Sequence, residues 1–109
     1  MRSCRTALIV AFSALGAMAT VPRARFPRRI AVLGDMLELD APQDEHAAIG
    51  RIIAGMPIDQ VPVRGSFGKD TLKAVQPRQR GQSASDPDAL YAKVAQTIHA
   101  GDIWLVKGS

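Results

Sequence analysis

Two runs constrain the fold most: Arg29-Ile-Ala-Val-Leu-Gly34 and Ile103-Trp-Leu-Val106 do not alternate polar with apolar residues. A strand with one wet face alternates, whereas a strand that is apolar throughout needs cover on both faces, as in parallel sheets sandwiched between helices. The intervening segments supply such helices. Residues 43–56 place Ile49, Ile52, Ile53 and Met56 at i, i+3, i+4 and i+7, one face of a helix that Gly55 and Pro57 stop. Asp86-Pro-Asp88 offers an N-cap, a proline for the first helical position and an acid for the first turn. Leu90, Tyr91, Val94, Ala95 and Ile98 then form an apolar stripe that Gly101 ends. Residues 59–65 read as a weaker strand, at an edge or irregular, because Pro62 has no N–H to donate. Residues 70–75 read as a short helix and residues 78–85 as a polar edge strand. Strands alternating with helices predict an α/β fold, a Rossmann-like, mostly parallel sheet with flanking helices and right-handed crossovers.

The 109 residues suffice for one modest core. The net charge of +4 suggests a basic surface until it is mapped along the chain. Residues 1–29 hold six arginines and no acid, while residues 30–109 hold eight basic and ten acidic side chains, a net of −2. The body is therefore slightly acidic, with scattered bases not interleaved with aromatics, which argues against nucleic acid as a partner. The single Cys4 excludes an internal disulfide.

The first thirty residues admit two readings. Arg2 and Arg5, the apolar run 6–17 and Ala17-Met18-Ala19 resemble a secretory signal, although the run is too short to span a bilayer. Leu8, Phe12, Leu15 and Ala19 equally fit one face of a domain helix. Pro22 and Pro27 bracket a linker. The domain organisation expected is a helical or signal-like segment with its linker over 1–28, followed by a domain over 29–109.

In an open α/β sheet, ligands gather beyond the carboxyl ends of the strands. Two segments lie there. Gly34-Asp-Met-Leu-Glu38 brings carboxylates suited to an ammonium group or a metal. Lys107-Gly-Ser109 brings a cation, flexible backbone and a hydroxyl suited to a carboxylate or phosphate. Asp35 also suits turn amides, and Lys107 a solvated strand end. His46, after Asp44-Glu45 at a helix start, reads as a surface or capping residue rather than a general base. No HExxH, CxxC or GxxxxGK[ST] occurs, so neither a metal site nor a recognisable ATP site is expected in these residues.

Together the segments are more specific than each alone. Arg29-Ile-Ala-Val-Leu-Gly-Asp-Met-Leu-Glu-Leu39 resembles the first strand and loop of the C-terminal domain of Mur ligases, in particular the UDP-N-acetylmuramoyl-tripeptide–D-alanyl-D-alanine ligases. His46 and Gly50 resemble that family's next helix, Gly101-Asp-Ile-Trp-Leu-Val-Lys-Gly-Ser109 its final strand and turn, and Leu15-Gly-Ala-Met18 the helix before the first strand. Asp40 stands where the family usually has glycine, and the segment with Pro62 matches poorly.

The resemblance implies an ATP- and magnesium-dependent ligase. The tripeptide carboxylate is converted to an acyl phosphate, and the amine of D-alanyl-D-alanine attacks through a tetrahedral intermediate. The C-terminal domain closes over the ATPase domain and contributes positioning and charge stabilisation. By position, Asp35 and Glu38 would face the amine, while Lys107 and Ser109 would face the dipeptide carboxylate or the phosphoryl group. No residue is assigned a catalytic role. The expected partners are UDP-N-acetylmuramoyl-tripeptide and D-alanyl-D-alanine, the expected location cytoplasmic without a membrane span. These residues are expected to bind no cofactor themselves and to be inactive alone. In the family a helix follows the Lys-Gly-Ser turn, so the domain is also expected to be incomplete at its C-terminus and to associate around Trp104. Two readings from other classes stand beside this one: a free-standing α/β module for a small anion, and a small secreted or periplasmic protein.

Overall fold

A computed structural model describes residues 13–25, 27–35 and 41–107, with Lys107 described through its backbone only. Helix α1 covers described residues 13–19. The chain continues through β1 (Arg29–Leu33), α2 (Pro42–Ala54), β2 (Val61–Arg64), α3 (Gly68–Ala74), a 3-10 turn (Pro77–Gln79), β3 (Arg80–Ala84), α4 (Pro87–Ala95) and β4 (Ile103–Lys107). The four strands form one all-parallel sheet in the order β3-β2-β1-β4.

This order explains why helices cover both faces. The chain moves from β1 to β2 to β3 in one direction, then crosses back to β4 beyond β1. Crossovers of one hand put the helices of the two directions on opposite faces. On one face, Leu15 and Met18 of α1 and Ile49 and Ile53 of α2 pack with Ala31, Leu33, Val61 and Val63. On the other, Leu90 and Val94 of α4 pack with Ile30, Val32 and Trp104. Every residue of β1 is buried, as its unbroken apolar run requires. Leu15 is fully buried, so α1 forms part of the domain core.

The interior position of β2 overturns the edge expectation for Pro62, which is buried between β1 and β3. Gln60 exchanges bonds with β1, its carbonyl accepting from Ala31 and its amide donating to Arg29, so the two-residue period turns the Pro62 nitrogen toward β1; on the β3 side the register shifts between the pairs Val61↔Arg80 and Val63↔Ser83, which is the irregularity the sequence also allowed. Gly81 makes the close approach feasible: a Cβ there would stand 2.6 Å from the Pro62 nitrogen.

Helix ends differ from the sequence pattern in places. Asp86 caps α4 as expected, its Oδ1 accepting from the Ala89 amide at 2.9 Å. The helix stops at Ala95, so Ile98 falls outside it and is 58% exposed, and Tyr91 on the outer flank is 51% exposed. Gly101 instead turns the chain into β4 with φ +89°. Ile52 lies off the buried line through Ile49 and Ile53 and is exposed. Gly50 faces α3 so closely that a Cβ would lie 2.5 Å from the Thr71 carbonyl.

At the amino end of the sheet, Arg28 binds Asp102 through two bonds, Nε–Oδ1 at 2.8 Å and Nη2–Oδ2 at 2.7 Å. The Arg28 guanidinium, first of all, holds the Asp102 carboxyl below its ordinary range, and the His99 amide adds to this. The pair ties β4 to β1 at the end opposite the candidate site.

Candidate functional site

The site follows from where the strands end. β1 delivers Gly34 and Asp35, β2 delivers Arg64, β3 delivers Ala84 and Ser85, and β4 delivers Lys107, which is paired in register with Leu33. The strand order reverses between β1 and β4, and in open α/β sheets that reversal is where ligands bind. Two of the sequence-predicted residues, Asp35 and Lys107, thus come to the carboxyl ends of adjacent strands. The other two, Glu38 and Ser109, lie outside the described residues, as does the Lys107 side chain.

Asp35 is 8% exposed, and its carboxylate is engaged. Oδ2 accepts from the Ser66 amide at 2.8 Å and Oδ1 from the Phe67 amide at 3.0 Å. It therefore anchors the β2–α3 loop, the turn-amide role the sequence also allows. Gly65 is required beside it, with φ +102° and a virtual Cβ 2.3 Å from the Asp35 carboxylate. Neither the conformation nor the space admits a side chain.

His46 is buried, which corrects the surface reading. Its Nδ1 lies 2.6 Å from the Pro42 carbonyl, and its ring stacks on Phe67 with centroids 5.3 Å apart. Thr71 donates to the His46 carbonyl at 3.0 Å, so α2, α3 and the loop lock together at this point. The periodicity reading missed this because the tight α2–α3 approach at Gly50 carries His46, one turn earlier, inward as well.

Sequence reasoning also missed Arg64. Its guanidinium lies over Gly34, 3.0 Å from where a Cβ would stand. It lines two clefts. One, of about 420 Å³, is bounded by Asp35, Gly65, Ser66, Lys69, Ser83 and Ser85. The other, of about 210 Å³, lies on the α4 side against Val32, Leu90, Tyr91 and Val106. The larger cleft presents two cations and three serines, a set that suits an oxyanion. The available signal was Arg64's place at a strand's carboxyl end, obscured by the weak pattern around Pro62. The donor set does not fit a divalent cation: Asp35 already accepts from two amides, and its charged neighbours in the cleft are Arg64 and Lys69. Among the described residues no group of three acidic, histidine or cysteine side chains could hold a metal. No described helix is long and apolar enough to cross a membrane.

The four-stranded parallel sheet with helices on both faces defines a Rossmann-like α/β domain, with an oxyanion-suited cleft at its carboxyl edge. The chain belongs to the family described as the Mur ligase, glutamate ligase domain, which matches residues 11–109. That match takes in α1, consistent with the burial of Leu15 and Met18. The family serves ligases of peptidoglycan synthesis, generally dependent on ATP and magnesium and acting on UDP-N-acetylmuramoyl-peptides. No curated protein matches the chain.

Proposed function

We propose that the chain is the C-terminal domain portion of a ligase that adds D-alanyl-D-alanine to UDP-N-acetylmuramoyl-tripeptide in the cytoplasm, with the carboxyl edge of its sheet facing the reacting groups. The observation that carries the reading is the juxtaposition of the Gly34-Asp35 turn with the end of β4 at the strand-order reversal, inside the region matched to the family. The choice of the dipeptide as the amine rests on the likeness of residues 29–39 and 101–109 to the D-alanyl-D-alanine-adding ligases.

In this reading Asp35 acts through the backbone. It fixes Ser66 and Phe67, and so the wall of the cleft in which Arg64 and Lys69 sit. Arg64 neutralises developing oxyanion charge. Its position over Gly34 makes that charge pre-organised rather than recruited from solvent. Lys107 and Ser109 address the dipeptide carboxylate or the phosphoryl group, and Glu38 the amine. In this reading the nucleotide, magnesium and UDP-sugar are held by other domains of the ligase. We take residues 1–28 as the lead-in to the domain, with α1 part of its core.

The test is product identity. The chain is combined with the UDP-sugar-binding and ATPase domains of a tripeptide ligase lacking its own C-terminal domain, and offered D-alanyl-D-alanine or D-glutamate. Mass spectrometry should find the pentapeptide product alone. A D-glutamate adduct would overturn the dipeptide assignment.

A further inference from the structure

A cation withdrawn from water needs a partner to replace the water it loses. Among the described residues, three arginines are at least partly buried: Arg28, Arg29 and Arg64. Arg28 is held by Asp102 at 2.7 Å. Arg29 donates to the Val21 and Pro57 carbonyls. Arg64, half-buried at the end of β2, has no ion pair and no hydrogen bond among the described residues. A guanidinium left in that state is a group waiting for an anion.

The cleft of about 420 Å³ beside it is walled by donors from three elements. Arg64 comes from the end of β2, Ser66 and Lys69 from the following loop and α3, and Ser83 and Ser85 from the end of β3. None of these five side chains is engaged in a hydrogen bond among the described residues. The acid in the wall, Asp35, has both carboxylate oxygens accepting from the Ser66 and Phe67 amides, and the two cations outnumber it. Asp86, next along the chain from Ser85, is turned to the Ala89 amide. The number and directions of the donors decide which anion fits. A carboxylate presents two oxygens in one plane, which a single guanidinium fork satisfies. A phosphate dianion spreads three strong acceptor oxygens over tetrahedral directions, so a fork, an ammonium and hydroxyls approaching from three sides can all reach it. Its double charge also matches the two cations.

We propose that the cleft between the ends of β2 and β3 binds a phosphate dianion, with the Arg64 guanidinium as its fork and Lys69 as its second charge. This deepens the ligase reading by naming the anion that the carboxyl edge takes, and it rests on that reading only for one of two sources. That source is inorganic phosphate, the by-product of the ligase reaction. The other is the phosphate of a small monoester. The cleft volume falls within the roughly 300–1,000 Å³ of small-molecule sites, which leaves room for an organic group.

The test is an NMR titration of the ¹⁵N-labelled 109-residue chain with inorganic phosphate at constant ionic strength, at about pH 8, where a phosphate group has lost its second proton. Saturable shifts are expected at the Ser66, Lys69, Ser83 and Ser85 amides, with Kd on the order of 1 mM. Arg64→Ala should weaken binding by about tenfold or more, since it removes the fork. Lys69→Ala changes an exposed side chain, leaves the fold alone and should weaken binding by about threefold. Acetate should bind about tenfold more weakly than phosphate. Glycerol 3-phosphate separates the sources: tighter binding than inorganic phosphate assigns the cleft to a monoester, and equal or weaker binding to the free ion. The proposal is overturned if no saturable shift reaches the cleft by about 30 mM phosphate, if acetate binds as tightly, or if both variants bind phosphate like the native chain. Because the chain is titrated without the ATPase domain, a negative result leaves the ligase reading standing, and a failed ligase assay leaves the phosphate site standing.

Discussion

Replacing Asp35 with alanine removes a carboxylate that two backbone amides share, at 2.8 Å from Ser66 and 3.0 Å from Phe67. A hydrogen bond to a charged group contributes about 1.5–3 kcal/mol net. Ser66 is exposed and its amide can rehydrate, so the lower end of that range applies and the pair together contributes about 3 kcal/mol. Domains of this size are stable by roughly 5–15 kcal/mol, so the loss is large but the variant should still fold. With a urea slope near 1.5 kcal/mol/M, the midpoint should fall by about 2 M. Asp35→Asn retains one acceptor oxygen and should lose about half as much. Urea titration followed through the partly buried Trp104 reads both shifts. If Asp35→Ala leaves the midpoint within about 0.3 M of the native chain, the carboxylate is not holding the loop. The amine-facing role its position suggests would then regain the ground.

Gly50→Ala should destabilise by about 1–3 kcal/mol in the same titration, because its methyl would enter the Thr71 carbonyl at 2.5 Å and force α2 and α3 apart. Gln79 is fully buried and donates to the carbonyls of Ile53, Met56 and Ile58, so Gln79→Ala should cost about 3 kcal/mol by orphaning them, with retention of the native urea midpoint as the contrary result. Asp102 has its folded-state pKa lowered by Arg28, so the pair's contribution is complete above the unfolded value near 3.9 and is lost as pH falls through the lower folded value. The melting-temperature gap between the native chain and Asp102→Asn should therefore be wide at pH 6 and narrow progressively as pH falls below the unfolded value; a gap that does not change with pH would refute this.

The sheet was legible because β1 and β4 are apolar on both faces, and α4 because Asp86-Pro87 marks its start without reference to the rest of the molecule. Pro62 marked the strand as irregular, which the β2–β3 register shift bears out, but not as interior, because that place depends on β3, another strand, pairing beyond it. His46 misled similarly: its burial depends on a helix crossing that only Gly50 hints at. At the site, position along the chain identified Asp35 and Lys107 as neighbours but could not say what the Asp35 carboxylate touches, since its partners are amides some thirty residues away. Arg64 was hidden for the same reason as its strand. The strand-order reversal that makes the carboxyl edge a site is a property of topology, which no local pattern encodes.

The central claim is that this domain completes a ligase active site through the carboxyl edge of its sheet. Phosphate release from ATP tests it most directly, with UDP-N-acetylmuramoyl-tripeptide and D-alanyl-D-alanine present. The 109-residue chain alone, which has no phosphate-loop motif, should release none. Added to the two remaining domains of a tripeptide ligase, it should restore release, and Arg64→Ala should reduce the restored rate by about 10²-fold, as loss of a pre-organised charge does. Release by the chain alone, or restoration indifferent to Arg64→Ala, would contradict the account.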